Sequence, residues 1–99
     1  MSTLALRAYK NLVADLGCAV HGCGKQAMLH HPRFAAGAGQ KSSDWLVIPL
    51  CSDHHQHGGH GVAIHAGQTT FERLYGTEEK MLAQTIEKVF AAMTSRAIL

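Results

Sequence analysis

Apolar residues recur at helical spacing at both ends of the chain and in short bursts between them. Near the start, Leu4, Ala8, Leu12, Val13 and Leu16 share one helical face. Ser2 or Thr3 is expected to cap this helix and Gly17 to stop it. Its apolar face is expected to cover the core, with docking as its other use. Residues 27–33 (AMLHHPR) run from apolar to histidine and end at Pro32, as a brief strand does. Residues 45–48 are aromatic and β-branched, which predicts a strand stopped by Pro49. Ser52 is expected to cap a short helix that Gly58 and Gly59 cut off. Thr69 and Glu72 have capping-box spacing ahead of Phe71, Leu74 and Tyr75. Thr77 is expected to cap the last helix, with Glu78 and Glu79 in its first turn. Met81, Leu82, Ile86, Val89, Phe90 and Met93 form that helix's apolar stripe. The fold class predicted is α+β, as one domain over 1–99: a helix over 1–17, a body over 18–76 and a helix over 77–95.

Composition narrows the classes. At 46% hydrophobic and 16% charged, the 99 residues read as globular rather than disordered. No apolar run reaches the roughly 18–20 residues of a membrane span, so no membrane partner is expected. Arg7, Lys10 and Asp15 interrupt the N-terminal apolar residues, unlike the core of a signal peptide. An odd count of three cysteines does not pair off into disulfides, and a reducing cytoplasm is the expected location. The net charge of +2 permits an anionic partner without demanding one. Eight histidines in a chain this short point to metal.

The cysteines stand at 18, 23 and 51, and His54 follows the third at C-x2-H spacing. Two short-spaced pairs joined by an intervening hairpin are how small domains supply four ligands to tetrahedral Zn²⁺. Cys18, Cys23, Cys51 and His54 are therefore the expected structural zinc knuckle, with His21 as an alternative ligand. Such a site contributes folding energy that a small domain needs. The competing reading is three buried thiols acting as small hydrophobes. Glycines around the first pair favour zinc.

Six histidines are left: His30, His31, His55, His57, His60 and His65. On a strand, His30 and His31 point to opposite faces. His55 sits one residue past a knuckle ligand and so points towards a different site. The segment LHHPRFAAGAGQKSSDWLVIPLCSDHH, with the later IHAG and FERLYG, resembles the HNH endonucleases of the ββα-metal fold. It is most similar to the Ref-type (recombination-enhancement) nucleases of phages, and the resemblance spans about residues 18–76.

That resemblance implies a ββα-metal core and metal-dependent hydrolysis of DNA phosphodiester bonds. His31 takes the position of the general base that activates water, and His30 that of a metal ligand. His55 takes the position of a second ligand. The third comes from His60 or His65, of which His65 fits better, because Gly59 replaces the histidine that colicin-type enzymes place a helical turn on. Asp44 stands where the family has Asn; it is able to accept a hydrogen bond from the base but not to donate one. The catalytic cation implied is Mg²⁺, Mn²⁺ or Zn²⁺. Arg33, Gln40 and Lys41 flank the expected cleft as phosphate contacts, with solvated loop charge as the equal alternative.

The chemistry is consistent with these parts. An imidazole titrating near neutrality takes a proton from water, and one divalent cation stabilises charge on the phosphate and the leaving oxygen. A recombinase filament is the partner that Ref-type relatives imply, and the apolar faces of the end helices add a second copy of the chain. Two other functions compete: a catalytically silent zinc-knuckle module that binds nucleic acid or protein, and a histidine-rich metal carrier using His57 and His60.

Overall fold

The structure, a computed structural model, describes residues 3–35 and 43–98. Gln40 and Lys41, expected to meet phosphate, lie outside the described residues, as does Ser2.

Thr3 caps the first helix, its Oγ1 accepting from the Leu6 amide at 3.0 Å. Helix α1 spans Leu4–Asp15. Gly17 follows at φ +79°, a left-handed conformation that ends a helix readily only at glycine. The buried face of α1 differs from the expected one. Leu6 and Val13 are buried, whereas Leu4 and Ala8 are exposed. Apolar residues run almost all the way round this helix, so periodicity does not set its rotation. Val13 packs instead with Val47 and Val89, bordered by Tyr9, Leu12, Leu16 and Leu29.

Strands β1 (Ala27–His30) and β2 (Ile48–Cys51) pair antiparallel, with His30 opposite Ile48 and Leu29 opposite Pro49. The second strand therefore starts where residues 45–48 were expected to end, and Pro49 lies inside it. The Pro49 carbonyl faces away from β1 and accepts from the Ala19 amide at 2.8 Å. The missing proline N–H points the same way, so it removes no bond from the ladder. Trp45 packs instead on Tyr9 of α1, ring centroids 5.0 Å apart.

Alternation along the strands gives the sheet two faces. Leu29 and Pro49 turn towards α1. His30, Ile48, Met28 and Leu50 turn to the other side, where Ile48 and Leu50 join Ile64, Phe71, Met81 and Leu82 in the main core.

After β2 comes a widened helical turn, Asp53–His57, closed by the Gly58 amide donating to the Asp53 carbonyl five residues back at 2.9 Å. Ser52 makes no side-chain capping bond there, contrary to expectation. Gly58 is required for packing: a Cβ at this position would stand 2.4 Å from Val62 Cγ1. A short 3₁₀ turn, Ile64–Ala66, carries His65.

Helix α2 (Gln68–Tyr75) starts at Gly67 with no side-chain cap, so the expected capping box does not form. Thr69 lies within the helix. Glu72 reaches forward instead, its Oε2 accepting from the Glu78 amide at 2.8 Å at the start of helix α3 (Glu78–Ile98). An orphan amide at a helix start attracts a carboxylate strongly. Thr77 caps α3 as expected, its Oγ1 accepting from the Lys80 amide at 3.1 Å. The stripe on α3 divides: Met81, Leu82 and Val89 are buried, while Ile86, Phe90 and Met93 remain exposed and line an apolar groove against α1.

The architecture is α+β, a two-stranded sheet with helices. Among the described residues no helix is long and apolar enough to cross a membrane.

Candidate metal centres

The first cluster forms between the loop after α1 and the end of β2. The Cys18 amide donates to the Lys25 carbonyl at 2.9 Å, closing a loop around Cys23. Gly22 (φ +80°) and Gly24 (φ +64°) flank Cys23 in left-handed conformations that let this loop turn so tightly. Cys51 ends β2, and the widened turn then brings His54 back. His54 Nδ1 lies 3.5 Å from Cys18 Sγ and 3.2 Å from Cys51 Sγ, and the sulfurs of Cys23 and Cys51 are 3.9 Å apart. All four donor atoms lie within 4.8 Å of one another, a group able to hold a metal ion. None of the three thiols is in a disulfide. His21 is exposed and outside the cluster.

Burial sets the electrostatics here. It pushes the Cys18 thiol up to about 11, partly opposed by backbone hydrogen bonds. A hydrogen bond from the Lys25 backbone amide holds the Cys23 thiol below its ordinary value. Burial likewise lowers His54, keeping its imidazole in the neutral form that a metal ligand requires. The His54 ring rests edge-on against Tyr75, centroids 5.3 Å apart.

The second cluster lies on the other side of the same turn. His30 from β1, His55 from the widened turn and His65 from the 3₁₀ turn offer ligand atoms within 4.8 Å of one another. The Nε2 atoms of His55 and His65 are 2.9 Å apart. The ring centroids of His30 lie 5.1 Å from His55 and 5.2 Å from His65, each pair edge to face. His30 and His55 are buried and His65 is exposed, so the cluster opens to solvent on one side. Burial, and after it the charges of His30, His65 and His57, push His55 down to about 4. Burial, His30 and Arg33 lower His65, with Glu78 opposing.

His31 turns to the opposite face of the strand end, where its Nε2 lies 2.7 Å from Asp44 Oδ1; both side chains are partly exposed. Of the two remaining histidines, His57 is exposed. His60 packs over Gly67, where a Cβ would meet its ring at 2.7 Å, and its Nε2 lies 3.4 Å from Thr70 Oγ1. His65, not His60, thus stands with His30 and His55.

Sequence reasoning missed Glu78. It reads there as a helix-dipole partner, yet its side chain is buried, with Oε2 2.5 Å from His30 Nε2. Its Oε1 accepts from the Arg33 amide at 3.0 Å and from Gln68 Nε2 at 2.9 Å. Burial alone would raise the Glu78 carboxyl; the bonds from His30 and Arg33 outweigh it and hold the group below its ordinary range. No spacing rule links positions 48 residues apart. Met28 was missed as well: its sulfur lies 2.9 Å from His55 Nδ1.

A family model described as a protein of unknown function (DUF968) matches residues 1–92, and the chain belongs to that family. No curated protein matches the chain.

Proposed function

We propose that this protein is a metal-dependent endonuclease of the HNH type acting on DNA, with zinc at the cysteine cluster and the catalytic cation at His30, His55 and His65. The observation that carries the reading is the convergence of three imidazoles beside a strand end whose next residue, His31, is paired with Asp44. A pure binding module has no use for both a ligand set and an oriented imidazole.

The donor spacings of the cysteine cluster fit zinc. Around tetrahedral zinc, two sulfurs stand about 3.8 Å apart, a sulfur and a nitrogen about 3.6 Å, and two nitrogens about 3.3 Å. The cysteine cluster has 3.9 Å between sulfurs and 3.2–3.5 Å from sulfur to nitrogen. Thiolate donors select zinc, whereas imidazoles suit Ni²⁺ or Zn²⁺ and are a poorer match to Mg²⁺ and Mn²⁺. The order β1, β2, α2 is compatible with a ββα-metal core.

A bound divalent cation supplies Lewis acidity and a template for the phosphodiester. The chain's own residues do the rest. Asp44 holds the His31 ring through Nε2, leaving Nδ1 to take the proton from water. Arg33, in the turn after β1, is the residue proposed to meet phosphate. What supports a second copy of the chain as a partner is the apolar groove between α1 and α3. A recombinase filament is the further partner proposed.

Plasmid nicking tests the reading. The wild-type chain is expected to relax supercoiled DNA with Mg²⁺, Mn²⁺, Ni²⁺ or Zn²⁺. His31→Ala is expected to lose at least about a hundredfold in rate while keeping its fold and its DNA affinity. Equal cleavage by the variant removes His31 as the base, and no cleavage by the wild type with any of the four ions removes the nuclease.

A further inference from the structure

Glu78 is the one buried acidic side chain among the described residues, 1% exposed. A buried carboxylate is costly unless its oxygens are bonded, and these are. Three donors reach it: the His30 ring at the end of β1, the Arg33 amide in the turn beyond, and Gln68 of α2. An ionised carboxylate only accepts, so the His30 nitrogen facing it, Nε2, carries a hydrogen. The lone pair of His30 is then on Nδ1.

We propose that Glu78 is a positioning residue of the imidazole metal centre: it fixes the His30 ring with its proton on Nε2, so that Nδ1 is the nitrogen presented to the ion. This inference rests on the metal-centre reading given above. A carboxylate behind a ligand imidazole orients the ring and makes it a stronger donor. Among the described residues His55 is not backed by a carboxylate; its Nδ1 faces the weakly accepting sulfur of Met28. The first residue of α3 thereby sets the geometry of a centre built on β1 and two turns. Gln68 is the second link, bracing the carboxylate from α2.

The test uses the full chain with zinc already at the cysteines. It is titrated with Co²⁺ and followed by visible d–d absorption and metal analysis. In parallel, ¹⁵N spectra of labelled imidazoles are recorded with Zn²⁺ at both centres. The wild type is expected to take one Co²⁺ beyond its zinc, with His30 protonated on Nε2. Glu78→Gln leaves one acceptor oxygen where three donors converge; it is expected to bind Co²⁺ about 10–100-fold more weakly and to show mixed His30 tautomers. Unchanged affinity with an unchanged tautomer overturns the positioning role and leaves the metal centre standing. A wild type that takes no Co²⁺ beyond its zinc overturns the metal centre, and this inference with it. If Glu78→Gln does not fold, the wild-type spectrum decides alone: His30 bound through Nε2 overturns the proposal.

Discussion

His55 Nε2 and His65 Nε2 face each other at 2.9 Å, although the two residues come from different turns and one of them is exposed. Two imidazole nitrogens adopt that spacing either by sharing one proton or by sharing one ion. With a ligand atom of His30 also within 4.8 Å, the three rings form one group able to hold an ion.

His65 is the member of this group to remove first, because its exposure makes substitution cheap. With no second ion bound, His65→Ala is expected to change stability by less than about 1 kcal/mol, while abolishing uptake of the metal proposed for this cluster. Metal analysis beside a thermal melt checks this. An unaltered metal content would show that the three rings hold no ion together.

The cysteine cluster is expected to hold the fold itself. Structural zinc contributes roughly 10–16 kcal/mol in small domains, as much as the whole stability of a typical one. Cys51→Ser, at a buried position, is expected to unfold the chain, as is a strong chelator. Circular dichroism reads both, and a chelated chain that stays folded refutes the role.

Acid is expected to destabilise the protein in a defined window. His55 is held near 4 in the folded chain against 6.5 when free. Between those values the unfolded state binds more protons, so stability is complete above pH 6.5 and is lost as pH falls towards 4. The loss amounts to at most about 3 kcal/mol, and proton competition with a bound ion acts in the same direction. Melting temperatures from pH 8 to pH 5 test it: a plateau above 7 and a decline below 6.5 are expected, and a level profile to pH 5 contradicts it.

Asp44→Ala is expected to slow DNA cleavage at least about tenfold by freeing the His31 ring. Its melting temperature should barely move, because the pair is partly exposed. Wild-type cleavage in this variant would leave the Asp44 contact without a catalytic purpose.

The cysteine cluster could be read from spacing, because its ligands come in two short, chemically distinctive pairs; the imidazole group came only from the resemblance, since His30, His55 and His65 are far apart in the chain. Cys18, Cys23, Cys51 and His54 needed only a hairpin to meet, and β1–β2 supplies it. Glu78 was out of reach, since its partner lies across the fold and a glutamate in a first helical turn has an ordinary explanation. Strand β2 was displaced by three residues for a related reason. Pro49 reads as a breaker unless the direction of its missing N–H is known, and that depends on which side Ala19 and β1 occupy. The rotation of α1 was equally undetermined, with apolar residues around nearly its whole circumference. Thr3 and Thr77, whose partners lie three residues away, were legible.

The widened turn at Asp53–His57 makes neighbours of His54 and His55 and sends them to different clusters. A single peptide unit, about 3.8 Å between Cα atoms, thus joins the two groups. Insertion or deletion of one residue between 51 and 55 would disable both halves at once.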